Sequence, residues 1–314
     1  MNVLADIIQN IINFSVPMLL VAIGGMYAHR SGILNVSYEG SMIAGALVGA
    51  CVIHFIGKIL PAQIVFILAI LSALVAGGIY ACFHAFLCVG GKTDPKICGM
   101  TLNIFSAAAA LFIIETFSEN ASIDIKKIFA VGEIPLLSDI PFVGDILFKD
   151  TYLTTYVSIL LLIISSVLLY KTSFGLRLRC CGDNPKAALA AGFKVIKYRY
   201  AAELIAGMLS AVSGLTLVVT AFSSFRGSVG GYGYLAIVVL IIGAWKPLRV
   251  FALSIIFGAV SALSGIMAEL NIMPEMDNLW NMAVFVFALV LIAVFNPMIK
   301  KPKELTKQNM QQIE

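Results

Sequence analysis

Residues 60–87 read LPAQIVFILAILSALVAGGIYACFHAFL and contain no aspartate, glutamate, lysine or arginine. The hydrocarbon core of a bilayer is about 30 Å thick, and an α-helix of about 20 apolar residues crosses it. The run is long enough for one such helix. It is also too uniformly apolar for the alternating strands of a membrane β-barrel. The stretch therefore predicts a transmembrane helix.

Similar runs fill most of the chain and set its class. They lie at 4–28, 33–57, 97–118, 152–170, 200–221, 232–245, 250–270 and 279–298. Hydrophobic types make up 60% of the 314 residues and charged types 12%, with a mean hydropathy of +0.98. This composition excludes a soluble globular protein and a disordered chain. We expect an all-α, polytopic transmembrane helical bundle of about nine spans (eight to ten), of which 33–57 or 232–245 is broken or re-entrant.

The lysines and arginines predict how the chain is oriented. Cytoplasmic loops carry an excess of these residues. With nine spans, one side collects 16 of the 21: Arg30, Lys92, Lys96, Lys171, Arg177, Arg179, Lys186, Lys194, Lys197, Arg199, Lys246, Arg249, Lys300, Lys301, Lys303 and Lys307. That side is expected to be cytoplasmic, which places the N-terminus outside and the C-terminus inside.

One membrane domain, 1–298, is predicted, followed by a basic cytoplasmic tail, 299–314. Its long connections are an outer loop at 119–150 and a basic inner loop at 171–199. No GxxxxGK[ST] phosphate loop, catalytic grouping or metal-ligand spacing stands out. A net charge of +4 is too mild to indicate nucleic acid. We expect no catalytic residue, metal or cofactor in this chain.

Residues 30–40, RSGILNVSYEG, lead from a basic edge into an apolar helix. Asn35 and Glu39 are four residues apart and would share a helix face. A carboxylate at membrane depth is costly and must face protein, water or a partner. Glu39 therefore either lines a pathway or braces neighbouring helices, and the sequence leaves both interpretations open. Gly45 and Gly49 form a small-xxx-small pair that suits close helix packing.

Residues 175–193, GLRLRCCGDNPKAALAAGF, predict a short alanine-rich helix on the inner face. Asp183 or Asn184 can cap it, Pro185 suits its first turn and Gly192 can end it. Small apolar residues with no lipid to face indicate a docking site for another protein. The alternative interpretation is an ordinary connecting helix.

This inner segment resembles the coupling loop of ABC importer permeases. Lys186-Ala187-Ala188 followed by Gly192 has the spacing of their EAAxxxG element, with lysine in place of glutamate. Residues 30–40 resemble the RSGxxN…EG string of the branched-chain amino acid, simple-sugar and nucleoside permease family. The stretch 231–247 resembles that family's GxG start and GGWxP end, from which Ala244 and Lys246 depart. The chain most resembles the shorter permease of nucleoside importers that use a basic-membrane-protein lipoprotein as receptor.

The resemblance implies a permease subunit of an ABC importer in the bacterial cytoplasmic membrane, with a nucleoside or related small polar solute as cargo. A separate cytoplasmic ATPase would bind ATP and Mg²⁺ and grip the coupling residues Asn184, Pro185, Lys186, Ala187, Ala188 and Gly192. An extracytoplasmic substrate-binding lipoprotein and a second permease, expected to be a different chain, would complete the importer.

Asn35, Glu39, Asn103 and Trp245 are the candidates for lining the pathway or bracing helices, and Glu203 is a weaker one. Trp245 would alternatively be an ordinary anchor at the membrane interface. Other functions stay open: the same machinery could carry a simple sugar or branched-chain amino acid. A stand-alone secondary transporter would need no coupling loop, and an intramembrane enzyme would need a catalytic set.

Overall fold

The computed structural model describes residues 3–118, 121–125, 129–130, 151–269 and 277–295. Its helices are α1, Val3–Arg30; α2, Tyr38–Ile56; α3, Ala62–Ala85; α4, Pro95–Phe117; α5, Leu153–Lys171; α6, Ser173–Asp183; α7, Pro185–Ala190; α8, Val195–Leu217; α9, Tyr232–Ile242; α10, Pro247–Glu269; and α11, Asp277–Phe295. Short π-helical turns extend α3 over Phe86–Gly90 and α8 over Val218–Phe222. The predicted tail 299–314 and most of the predicted outer loop 119–150 lie outside the described residues.

The all-α polytopic bundle is confirmed. Seven of these helices are long and apolar enough to cross a membrane: α1, α2, α3, α4, α5, α8 and α10. The apolar helix Tyr232–Ile242 and the apolar part of α11, Met282–Phe295, are shorter. The predicted segment 33–57 begins with non-helical backbone, since α2 starts only at Tyr38, whereas 232–245 is helical from its first residue and stops at Ile242. At about 1.5 Å per residue, α9 covers about 16 Å, half of the hydrocarbon core.

Helix α8 forms the centre of the bundle. It has the largest buried share among the seven spanning helices and packs on α1, α2 and α3. Glycines allow this close approach. A Cβ at Gly45 would collide with the backbone of Ala211, and one at Gly214 would collide with the carbonyl of Met42. Where helices associate in lipid, such small residues let backbones come close enough for van der Waals contact. The packing role expected for Gly45 is confirmed.

Hydroxyl groups of α8 and of its π-helical extension form hydrogen bonds around Pro17, a proline in the middle of α1. Pro17 has no N–H to give to the carbonyl of Asn13, one turn earlier. The hydroxyl of Thr220 donates to that carbonyl at 3.3 Å, and the hydroxyl of Ser213 donates to the carbonyl of Pro17 at 2.7 Å. In lipid no water can replace these partners. The two hydroxyls therefore fix α1 against the end of α8.

The two ends of the bundle differ in charge. One end, called the basic end here, carries Arg30, Lys92, Lys96, Arg249 and the loop 171–199. At the opposite end Ile123–Asp124 pairs antiparallel with Ser224–Phe225. This ladder attaches the segment after α4 to the segment after α8. It also positions the glycine-rich stretch 227–231 that leads back into the bundle as α9.

We expect Gly45→Ala to destabilise the protein, because its methyl group would press on the backbone of Ala211, which cannot rotate away. Overpacking of this kind costs about 1–3 kcal/mol. Gly265→Ala is the matched control, since a Cβ there meets nothing within 4 Å. Thermal unfolding of the purified variants measures both. Equal melting temperatures for the two variants would contradict the close packing of α2 on α8.

Candidate functional site

Two helices begin inside the bundle, and Glu39 joins their first turns. Its carboxylate lies in the first turn of α2 and is buried, with 6% of the residue exposed. One oxygen accepts the N–H of Gly231 at 2.9 Å, and the other accepts the N–H of Gly233 at 2.8 Å. These N–H groups belong to the start of α9. Glu39 therefore caps a helix other than its own.

The electrostatics of this contact explain why an acid stands here. The first N–H groups of any helix lack intrahelical partners, and the helix dipole makes that end positive. Two such ends, of α2 and α9, meet at Glu39. Their positive ends and the two hydrogen bonds stabilise the carboxylate, so it needs no cation as a partner. Of the two interpretations left open by the sequence, this geometry supports bracing of helices rather than an acid free to bind a passing solute.

Asn103 of α4 makes a second tie between the same two helix starts. Its side-chain oxygen accepts the N–H of Gly40 at 2.8 Å. Its amide nitrogen donates to the carbonyl of Val36 at 2.9 Å and to the phenol oxygen of Tyr234 at 3.0 Å. All of its polar atoms are engaged, and only 4% of the residue is exposed. Asn103 is thus a fixed support at the junction of α2, α4 and α9.

Asn35 lies one step towards the basic end and connects α2 to α8. Its oxygen accepts both the N–H and the hydroxyl of Ser37, at 2.6 and 2.8 Å. Its nitrogen donates to the carboxylate of Glu203 at 2.6 Å, and the same carboxylate oxygen lies 3.0 Å from Nδ1 of His84. Glu203 and His84 are fully buried. The network joins the start of α2 to α3 and α8.

Trp245 is buried rather than placed at the membrane interface, with 2% of the residue exposed. Its indole N–H donates to Nδ1 of His29 at 3.1 Å, while the Nε2 of that ring lies 3.2 Å from the carbonyl of Asn35. These partners require a neutral imidazole with its proton on Nε2. The hydroxyl of Tyr170 donates to the carbonyl of Trp245 at 2.8 Å. Trp245 therefore braces the turn between α9 and α10.

The predicted short helix on the basic end is present as α7, and its ends are built as expected. Asn184 accepts the N–H of Ala187 at 3.1 Å, and Pro185 occupies the first turn. Gly192 has a φ of +80°, and its N–H donates to the carbonyl of Leu189 at 2.9 Å. The N–H of Phe193 reaches the carbonyl of Ala188 at 3.0 Å. This pair of bonds is the Schellman ending, in which glycine takes the left-handed position.

The two faces of α7 have different environments. Ala188 points inward and packs with Cys181 and Val195. Burial raises the pKa of the Cys181 thiol, so it stays a neutral packing group. The outward side consists of exposed residues: Lys186, Ala187, Leu189, Ala190, Ala191 and Gly192. Leu189 is 60% exposed on this surface. The inward alanine seats the helix, and the outer residues form a small apolar projection.

A cavity of about 620 Å³ opens beside α7 at the basic end. Pro185 and Leu189 form one wall, and the residues at the start of α4 form the other. Its charged lining residues are Lys92, Asp94, Lys96 and Arg199. The carboxylate of Asp94 caps α4 by accepting the N–H of Lys96 at 2.8 Å. The surface around the projection is therefore positively charged.

Part of this site could be recognised from the sequence. Glu39, Asn35 and Asn103 converge on the start of α2, Trp245 lies on the same side through His29, and the α7 residues form a separate surface. His29, His84, Gly231 and Tyr234 were missed. The polar residues of the family-like string 231–247 could have indicated Tyr234, but no pattern in the sequence pairs His84 with Glu203. Among the described residues, no group of three or more metal-ligating side chains is placed to hold a metal ion.

We expect Glu39→Gln to lower both stability and transport, because the amide has one acceptor oxygen where two N–H groups need one each. A hydrogen bond to a charged group is worth about 1.5–3 kcal/mol. Thermal unfolding and uptake in cells measure the two effects. Glu115→Gln, at an exposed position of α4, is the control for the loss of a charge. Unchanged stability in Glu39→Gln would contradict the bracing role.

Asn35→Asp should be strongly destabilising, because it replaces the donor that faces Glu203 with a second carboxylate. Leaving a buried charge without its partner costs about 3–5 kcal/mol. Asn184→Asp makes the same chemical change at a cap where aspartate serves as well as asparagine. The melting temperature of Asn35→Asp should fall well below that of Asn184→Asp. Similar values for both would show that Asn35 does not face Glu203.

The chain is similar in sequence to known transport proteins. Residues 7–294 match the family model described as branched-chain amino acid transport system / permease component. The nucleoside ABC transporter permease protein NupC of Lactococcus lactis subsp. cremoris is 31% identical over 94% of this chain and 93% of its own length. The guanosine ABC transporter permease protein NupQ of Bacillus subtilis is 32% identical over 96% and 95%.

No solved structure matches this chain. The family model nevertheless covers more than half of it, and the two relatives align over nearly their whole lengths. The expected resemblance is thereby confirmed, and the protein belongs to the branched-chain amino acid transport system permease family of ABC transporters.

Proposed function

We propose that this permease carries nucleosides into the cell as one subunit of an ABC importer. One observation carries the proposal: two relatives above 30% identity, aligned over nearly their whole lengths, are named as nucleoside and guanosine permeases. The polar junction around Asn103 and Tyr234 suits an uncharged, hydrogen-bonding solute, since its hydrogen-bond donors and acceptors bear no net charge apart from the capped Glu39.

A separate ATPase supplies the energy in this proposal, and it binds ATP and Mg²⁺. Its docking site is the exposed side of α7 with the neighbouring positive surface. Lys186 stands where the family's coupling element has glutamate, so an acidic groove on the ATPase would match it. The basic end then faces the cytoplasm, with the C-terminus inside and the N-terminus outside, in the bacterial cytoplasmic membrane.

Two further partners complete the proposed importer. A second permease subunit, a different chain, forms the path together with this one. A substrate-binding lipoprotein docks at the opposite end, near the ladder between Ile123–Asp124 and Ser224–Phe225. The predicted loop 119–150, which adjoins that ladder, would supply the rest of the receptor contact.

The experiment is uptake of radiolabelled uridine and guanosine by cells that express this chain with its companion subunits. We expect the uptake to depend on ATP. Unlabelled nucleosides should reduce the uptake by competition, and glucose and leucine should not. If glucose or leucine competes and the unlabelled nucleosides do not, the cargo is a sugar or a branched-chain amino acid instead of a nucleoside. Uptake by proteoliposomes that contain this chain without an ATPase would overturn the ABC mechanism in favour of a secondary transporter.

Leu189→Asp should abolish binding of the ATPase, because it places a buried charge in an apolar contact with an acidic partner. The expected result is loss of ATPase co-purification and of uptake, with the membrane subunit still present at its normal level. Ile59→Asp, exposed at the opposite end of the bundle, is the matched control and should retain the ATPase. Retention of the ATPase by Leu189→Asp would contradict the docking assignment.

A further inference from the structure

Most of the exposed surface of the spanning helices is what lipid requires. Helices α3, α5 and α11 expose aliphatic and phenylalanine side chains along their lengths: Ile67, Val75, Ile79, Phe83, Val157, Leu160, Ile163, Val167, Phe285, Val286, Leu289 and Val294. Side chains of this kind are soluble in hydrocarbon and need no hydrogen bond. These helices therefore form the faces covered by the bilayer.

Tyr234 departs from this pattern. It lies in the first turn of α9, and 41% of the residue is exposed. Because α9 rises about 16 Å from the basic end, its first turn lies about halfway through a hydrocarbon core of about 30 Å. Tyrosines that face lipid collect at the membrane interfaces, where the hydroxyl reaches water. An exposed phenol at mid-depth needs a polar partner other than lipid.

The phenol is held in place but retains bonding capacity. Among the described residues, the partner of its oxygen is the amide of Asn103, which donates to it at 3.0 Å. The phenol thus accepts one hydrogen bond, while its own O–H is left to donate. Asn103 is fixed by Gly40 and Val36, so the direction of the phenol is fixed as well. This is the arrangement of a positioned donor rather than of a loose surface group.

The segment that leads into Tyr234 contains two glycines. Gly230 and Gly231, with φ of +67° and +79°, directly precede α9 and carry no side chains. The exposed side chain of Tyr234 itself offers an aromatic ring and a hydroxyl group. Aromatic faces stack on nucleobases, and hydroxyl groups bond to their edges and to ribose. The phenol of Tyr234, exposed about halfway through the membrane, therefore fits a neutral nucleoside.

We infer that Tyr234 contacts the transported nucleoside in the translocation path by donating its phenolic hydrogen. The inference rests on the proposed function and adds the residue that meets the cargo. A neutral donor suits a path, because it replaces part of the hydration of the solute without holding it as tightly as a charge would. Glu39 contributes indirectly, by fixing the first turn of α9 from which the phenol projects.

Tyr234→Phe removes the donor and keeps the ring. We expect the maximal rate of uridine uptake to fall about threefold to tenfold, the range for one hydrogen bond. The apparent KM should stay constant, because the receptor captures the solute before it reaches the path. Tyr232→Phe is the matched control: its ring stacks on Phe14 at 5.7 Å between centroids, and its uptake should remain normal. Equal rates for both variants would overturn the inference.

Cysteine labelling tests the location independently of the rate. Tyr234→Cys, in the complete importer in nanodiscs, should react with a cationic, water-soluble methanethiosulfonate, and uridine should slow the reaction. Ile163→Cys, exposed on the lipid-facing helix α5, should stay unlabelled. Mass spectrometry of the peptide that carries each substitution keeps the six free native cysteines out of the measurement.

The outcomes separate this inference from the proposed function. If the unaltered importer takes up no nucleoside, the proposed function fails, and with it the nucleoside contact. Labelling of Tyr234→Cys would then still mark a water-filled path for another solute. If uptake is normal but Tyr234→Cys stays as unreactive as Ile163→Cys, Tyr234 faces lipid or another subunit, and the inference alone is overturned.

Discussion

The structure depends on how two helices can begin inside a membrane. An unpaired backbone N–H in hydrocarbon costs several kcal/mol, and no water is present to replace its partner. The first turns of α2 and α9 would expose such groups. Glu39 takes two of the N–H groups of α9, and Asn103 takes one from α2. These two side chains therefore stabilise both helix starts inside the membrane.

The same polar groups extend towards the basic end as a connected series. Helix α8 begins at Val195, five residues after α7 ends at Ala190. Glu203, two turns into α8, is hydrogen-bonded to Asn35, whose oxygen binds Ser37 at the start of α2. Packed helices and buried hydrogen-bond networks are structures that can carry coupling between distant sites. The exposed projection on α7 and the junction at Glu39 are thus parts of one packed unit.

Much of this could be predicted from the sequence, because its signals are local. Uniform apolar runs specify spanning helices, and Asn184, Pro185 and Gly192 specify the ends of α7 by rules that involve adjacent residues. The late start of α2 also follows from the polar beginning of its run, and the shortness of α9 follows from the shortness of its own. In each case the determining residues lie within a few positions of the structure they produce.

The partners could not be predicted, because they are distant in the chain. Glu39 and Gly231 are 192 residues apart, and Asn35 and Glu203 are 168 apart. A single sequence shows that Glu39 needs a partner but not which one, so bracing and pathway roles stayed equivalent. The sequence also leaves the role of Trp245 undetermined. An indole at the end of a span suits a membrane interface, and only the structure shows that it is hydrogen-bonded to His29. Ala188 belongs to the predicted docking motif but faces inward. A motif does not reveal which alanine packs against the bundle.

Amide hydrogen exchange in the intact importer, held in nanodiscs, tests the junction most directly. We expect the amides of Gly231 and Gly233 to exchange at least about 100-fold more slowly than unstructured glycine amides, since both donate to a buried carboxylate. Gly230 is the internal comparison, because its N–H bonds to the exposed hydroxyl of Ser228 and should exchange faster. Rapid exchange at Gly231 and Gly233, equal to that of Gly230, would contradict the claim that Glu39 holds the start of α9 inside the membrane.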